Sequence, residues 1–174
     1  MTERATSQTE TVEALPATPE QQPIFANLLE LYAYDFSHFL ALELDETGRF
    51  GYRDLPLYWT DPDRYPSLVR VGGKLAGFTL VRMGSRLSGD RGVWDMAEFF
   101  VVRGYRRQGI GARVAGDLWR RFPGPWEVRV MEANISAVHF WGKAIERFAG
   151  HAIASSRIEK DGASWRVFRF SVSG

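Results

Sequence analysis

The spacing of apolar positions changes once between Trp94 and Arg121, and that change marks the centre of the chain. Residues 94–102 are β-branched and aromatic enough to make a largely buried strand. From there Ile110, Val114, Leu118 and Phe122 recur at every fourth residue, with Arg113, Asp117, Arg120 and Arg121 on the other side. That spacing predicts one amphipathic helix. Upstream, Thr11 to Ala17 reads as a short edge strand, and Thr18, Pro19 and Gln21 form a helix-start signature. Ile24, Leu28, Leu31, Tyr32, Phe36 and Phe39 predict a helix packing one face on a core. Residues 45–66 are rich in Gly, Pro, Asp and Tyr and read as a loop with a short helical turn. An irregular segment of that length in a compact domain is more often functional than idle.

Leu68 to Val71 and Leu75 to Met83 are predicted strands around a Gly72-Gly73 turn, followed by a second turn region from Gly84 to Gly92. After the central helix come a strand at Trp126 to Met131 and a helix capped by Asn134, with Ala137, Trp141, Ala144, Ile145 and Phe148 on one face and Gly150 at its end. His151 to Ile158 and Trp165 to Val172 form a last hairpin turning at Asp161-Gly162. The order is β-α-loop-β-β-β-α-β-α-β-β. It implies an α/β (α+β) domain with an antiparallel meander in its middle, not a string of βαβ units. Residues 1–10 are polar and expected to be a disordered tail; residues 11–174 are expected to form one domain.

Composition narrows the partners. With 45% apolar and 25% charged residues the chain reads as an ordinary globular protein, and a formal charge of +1 argues against an extended nucleic-acid surface. There is no cysteine, so neither disulfides nor thiolate chemistry enter, and a cytoplasmic location is expected. No apolar run reaches the roughly 18 residues of a membrane span, and no secretory signal is apparent, so no membrane partner is expected. His38, His139 and His151 have no spaced partners suggesting a metal site, and none is expected.

The candidate chemistry begins between the central strand and helix, at Arg106-Arg107-Gln108-Gly109-Ile110-Gly111. Two glycines at a helix start leave backbone N–H groups open to an anion, and the helix dipole favours one there. A P-loop is excluded because no Gly-Lys-Ser/Thr ends the stretch; a dinucleotide fingerprint is excluded because Val114 stands where a third glycine is needed. A tight turn without a ligand is the plain alternative. Arg106-x-x-Gly109-x-Gly111 after a strand resembles the acetyl-CoA pyrophosphate loop of the GNAT (Gcn5-related N-acetyltransferase) superfamily. Asn134-x-x-Ala137-x-x-Phe140-Trp141 resembles that superfamily's second motif, and the element order over residues 11–172 is similar throughout.

The resemblance implies a mixed, mostly antiparallel sheet, flanked by helices and splayed between strands 94–102 and 126–131. Acetyl-CoA would lie in that gap as cosubstrate. Main-chain groups near Phe99, Phe100 and Val101 would pair with its pantetheine arm, and Asn134 would sit close by. Arg106, Arg107, Gln108, Gly109, Ile110, Gly111 and Ala112 would hold the pyrophosphate. The implied reaction is direct acetyl transfer to the primary amine of a small molecule or peptide. Attack needs the neutral amine, so a carboxylate of raised pKa in a partly dry cleft suits the base. Glu98 is the first candidate and Asp95 the second; three apart on a strand, they point to opposite faces unless a bulge intervenes. An arginine salt bridge is the structural alternative for Glu98.

Trp141 occupies the position where many relatives carry a tyrosine that protonates the leaving thiolate. An indole N–H is no acid of useful pKa, so it offers at most a hydrogen bond. That departure sustains a second reading, a non-catalytic acyl-CoA-binding or regulatory domain. His139 is expected on the surface. For the acceptor, Tyr32, Asp35, Tyr52, Asp54, Tyr58, Trp59, Asp61 and Asp63 are the available aromatic and acidic groups. They suit a cationic amine and favour a small polyamine-like or amino-sugar acceptor, the plain alternative being that Tyr58 and Trp59 pack the loop and the aspartates are solvated. A homodimer through an edge strand is compatible with this architecture.

Overall fold

A computed structural model describes residues 10–174; the expected tail, apart from Glu10, lies outside them. Seven strands form one sheet in the order β1-β2-β3-β4-β5-β7-β6, where β1 is Val12–Pro16, β2 Arg64–Val71, β3 Lys74–Met83, β4 Trp94–Val101, β5 Gly124–Met131, β6 Ser155–Lys160 and β7 Ala163–Val172. Neighbours run antiparallel except β4 and β5, which are parallel and pair only at Trp94 with Trp126 and Asp95 with Glu127. Beyond Asp95 the two strands diverge, so the expected splay is present. Helices α1 (Gln22–Phe36), α2 (Ile110–Arg121) and α3 (Ile135–Ala149) complete the fold.

Strand alternation sorts the core into two layers. Val69, Val81, Met96, Val128 and Phe168 face α2 and α3, meeting Val114, Trp119, Trp141 and Ile145. Leu68, Phe78, Leu80 and Phe100 face the other way, onto Phe25, Leu28 and Leu29 of α1 and onto Leu55 and Tyr58 of the 3-10 turn Leu55–Trp59. The Gly72-Gly73 hairpin holds as expected, with φ of 55° and 77°. Asn134 caps α3 by accepting the Ala137 N–H at 3.1 Å, and Gly150 ends that helix in the left-handed conformation.

Several boundaries differ from the sequence reading. Strand β2 starts at Arg64, inside the expected loop, because residues 64–67 find ladder partners in 79–82. The stretch His151 to Ala154 is not strand; β6 starts at Ser155. Helix α1 begins after a separate 3-10 turn at Pro19–Gln21, where the Thr18 N–H donates to Gln21 Oε1 at 3.1 Å. Its buried residues are Phe25, Leu28 and Leu29, whereas Leu31 is 54% exposed and Phe39 lies past the helix end.

Gly77 is where the sheet is least tolerant. A Cβ there would stand 2.0 Å from the carbonyl oxygen of Phe100 on the neighbouring strand. Gly77→Ala must therefore push β3 and β4 apart at the edge of the splay. A loss of about 3 kcal/mol, or ~10 °C in melting temperature, is expected. Thermal unfolding followed by circular dichroism checks this, and an unchanged midpoint would show that the close approach is not held.

Candidate functional site

The gap between β4 and β5 opens into a cleft of about 940 Å³, walled by β4, β5, the starts of α2 and α3, the end of α1 and residues 38–52. Its size falls within the usual range for small-molecule sites.

One end of the cleft is the turn into α2. Arg107 has φ 61° and Gly109 φ 77°, so the chain twice enters the left-handed region before the helix starts. The N–H groups from Arg107 to Ala112 find no backbone acceptor among the described residues; the first helical bond is from the Arg113 N–H to Gly109 O at 3.1 Å. Nothing lies within 4 Å of where a Cβ on Gly109 would be, so the space beside that residue is open. Gly111 serves packing: a Cβ there would come 3.0 Å from the Phe140 ring. The Ile110 side chain is buried in the core, leaving only its main chain to the loop. The Gln108 amide donates back to Gly104 O at 2.8 Å.

Arg106 differs from the expectation of a free anion ligand. Its Nε donates to Val101 O at 2.6 Å and its Nη2 to Asp35 at 2.6 Å, and Arg103 reaches the same carboxylate at 2.5 Å. Burial works the other way, but the two guanidinium groups hold the Asp35 carboxyl below its usual range. Asp35 thus ties the end of α1 to the turn, and Arg107 keeps an exposed side chain there.

The main chain of β4 also corrects one expectation. The Val102 N–H donates to Ala76 O, so by alternation Phe100 turns its polar groups toward β3 and its ring into the α1-side core. Phe99 and Val101 turn theirs into the gap, where Val101 O is taken by Arg106. Phe99 N–H and C=O and the Val101 N–H are therefore the β4 groups facing the splay.

Glu98, on the same strand, turns its side chain toward α1 and Tyr52. Tyr32 OH donates to its Oε2 at 2.7 Å and Tyr52 OH to its Oε1 at 2.9 Å. Burial pushes the carboxyl above the usual carboxylate range, against the charge of Arg129 and the two phenol hydrogen bonds. A bulge does intervene in β4: Leu80 pairs with Glu98 but Val81 pairs with Met96, leaving Ala97 unpaired. Asp95 and Glu98 consequently share a face. Asp95 is nonetheless spent. At 0% exposure it accepts from Arg82 at 2.8 Å and from Arg129 at 2.5 Å. The structural ion pair belongs to Asp95, and the hydrogen-bond partners of Glu98 are the two neutral phenols. Neither tyrosine is a usable acid, because burial, reinforced by the Glu98 charge, raises both far above the ordinary phenol range.

Asn134 and Trp141 flank the same cleft. Trp141 is 6% exposed, packed edge-on to Phe99 at 5.0 Å and to Phe140 at 5.0 Å, so most of the ring is core. His139 is exposed, as expected, and among the described residues no group of three or more His, Cys, Asp or Glu could hold a metal. Of the acceptor-side residues read from sequence, Tyr32, Asp35 and Tyr52 line the cleft and the others do not. Tyr58 is buried, its hydroxyl without a partner, and burial with the Glu98 charge pushes its pKa up to about 12. Trp59 packs on Phe25, Asp54 pairs with Arg86 at 2.5 Å, and Asp61 with Arg64 at 3.0 Å. Asp63 starts the strand turn through its main chain, accepting the Met83 N–H at 2.8 Å. The sequence reading missed Arg129, and missed that Tyr32 and Tyr52 converge on Glu98. Their separations of 66 and 46 residues from it leave no local signal.

Comparison with known proteins adds three kinds of finding. A family model described as the acetyltransferase (GNAT) family matches residues 25–145. No curated protein sequence matches the chain. Among solved structures, an acetyltransferase from Thermus thermophilus superposes with a TM-score of 0.66 at 18% identity, over 94% of this chain and 99% of that one. RimL, a ribosomal L7/L12 alpha-N-protein acetyltransferase in complex with coenzyme A, gives 0.63 at 11% identity over 93% and 94%. The aminoglycoside acetyltransferase AAC(6')-Ib in complex with coenzyme A gives 0.66 at 10% identity over 92% and 95%. At such identities the likeness is one of fold.

Proposed function

The chain belongs to the acetyltransferase (GNAT) family, and from that premise we propose that it is an acetyl-CoA-dependent N-acetyltransferase acting on a primary amine. The observation that carries this reading is the juxtaposition in one cleft of an open run of N–H groups at residues 107–112 and a raised-pKa carboxylate, Glu98. The turn suits a pyrophosphate: its donors are unpaired, they stand at a helix N-terminus, and the space beside Gly109 is open. Gln108 to Ala112 would contribute main-chain N–H groups, and Arg107 both its N–H and its charge. The Asn134 side-chain N–H₂ and the gap-facing groups of Phe99 and Val101 would hold the pantetheine arm. Acetyl-CoA supplies an acetyl group activated as a thioester.

Glu98 takes a proton from the incoming ammonium, directly or through one water, and frees the lone pair. A C–N bond forms as the C–S bond breaks. The second nitrogen proton ends on sulfur, and Glu98 returns its own proton to solvent. Trp141 contributes an N–H and a flat wall, and no acid. The alternative, an acyl-CoA-binding domain without turnover, rests on that missing acid alone.

The pH profile of thiol release from acetyl-CoA with a panel of amines tests the assignment. The acid limb should lie above the ordinary carboxylate range, with activity rising as Glu98 ionises. Tyr52→Phe removes one hydrogen bond that favours the ionised form. Its acid limb should therefore move to still higher pH, with kcat above the limb within about threefold of the wild type. A limb that stays in place, or moves to lower pH, would contradict Glu98 as the titrating base.

A further inference from the structure

Resting on the acetyl-transfer reading above, we infer that the acceptor is a small primary amine carried on an aromatic or branched apolar body, and not a polyamine. A row of aromatic rings leads away from the base. Tyr32 donates to Glu98 at 2.7 Å; its ring centroid lies 5.4 Å from that of Phe36, and Phe36 lies 6.0 Å from Phe39. Leu42 and Phe50 line the same cleft from residues 38–52. That segment is held in place by Glu30, which accepts the N–H groups of Phe50 at 2.8 Å and Gly51 at 3.1 Å. An amine with its nitrogen at Glu98 would lay its body along these rings.

The acids that would recognise further positive charges are already occupied. Asp35 is neutralised by Arg103 and Arg106, Asp54 by Arg86, and Glu30 by the loop it holds. Among the described residues, the one acid on the cleft wall besides Glu98 and Asp35 is Glu43, exposed to water, where an ion pair contributes little. Apolar contact, by contrast, gives about fourfold in affinity for each methylene buried. Leu42 is 39% exposed at the mouth, so its surface is available for such contact.

The test uses the full chain. Acetyl-CoA binding is first measured by calorimetry; then kcat/KM, and binding in the presence of coenzyme A, are measured for phenethylamine, tryptamine, putrescine, spermidine and an unblocked peptide. Phenethylamine or tryptamine should exceed spermidine by about tenfold or more in both measurements. Leu42→Asp, at an exposed position, exchanges apolar contact for a carboxylate. It should raise KM for phenethylamine about fivefold and move the preference toward spermidine, leaving acetyl-CoA affinity unchanged. Preference for the polyamines or the peptide, or an unaltered preference in Leu42→Asp, overturns this inference while acetyl-CoA binding leaves the underlying reading intact. Binding of none of the amines also overturns it. Failure to bind acetyl-CoA sinks both.

Discussion

Gly109→Asp is expected to lose acetyl-CoA binding by about 100-fold or more, while Gly109→Asn keeps it within about threefold. The pair isolates charge from backbone geometry. Gly109 has φ 77°, in the left-handed region, and Asn and Asp are the side chains that best tolerate it. Nothing within 4 Å of the added Cβ would clash, so either variant should fold. The carboxylate, however, would stand in the opening where the unpaired N–H groups converge. Two unit charges 4 Å apart repel by about 4 kcal/mol at an effective dielectric of 20, and a doubly charged pyrophosphate offsets the part of this that exposure to solvent removes. About 2.7 kcal/mol suffices for the hundredfold loss. Calorimetric titration of both variants provides the check. Equal affinities would mean that the pyrophosphate does not occupy this turn.

Glu98→Gln should lower kcat by about 10² to 10⁴, the usual contribution of a positioned general base, with acetyl-CoA affinity unaffected. Its effect on stability separates a catalytic role from a structural one. Because the folded-state carboxyl titrates above its ordinary value, the folded protein binds that proton more tightly than the unfolded chain does. The associated stability is present below the ordinary carboxylate pKa and is lost as pH rises through the folded-state value. Above the folded-state value the ionised Glu98 is therefore a net burden, and a neutral amide that still meets Tyr32 and Tyr52 removes it. Glu98→Gln should thus be nearly inactive yet melt at the same temperature as the wild type or higher. A lowered melting temperature at pH 8 would assign Glu98 to holding the fold. The contrast is with Asp95, where loss of the carboxylate would strand Arg82 and Arg129 in the interior and destabilise strongly.

Much of this fold is local, and for that reason visible along the chain. The four-residue spacing from Ile110, the Asn134 cap, the Gly72-Gly73 hairpin and the Asp161-Gly162 turn each depend on residues a few positions apart, and all appear in the structure. The start of β2 was obscured because Arg64 to Ser67 carry Pro66 and loop-like composition, and become strand only through pairing with β3. The bulge at Ala97 left no trace in the sequence, since it arises from the register between β3 and β4. The open turn into α2 could be read because its donors belong to consecutive residues. The carboxylate site could be read only in part. Glu98 stood out as a charge in an apolar strand, but Tyr32, Tyr52 and Arg129 join it from three other segments. The same long-range pairing withdrew Asp35 and Asp54 from the acceptor-side candidates, because whether an aspartate is free depends on which arginine the fold brings to it.

The most direct test of the central claim is to incubate the protein with acetyl-CoA and an amine and to follow both products, coenzyme A thiol by a colour reaction and the amine by mass spectrometry. The expected result is an amine heavier by one acetyl group, formed in step with the thiol and only when the protein is present. Saturable binding of acetyl-CoA with neither product, across aromatic, aliphatic and peptide amines, would contradict the claim and leave a domain that binds the cofactor without turning it over.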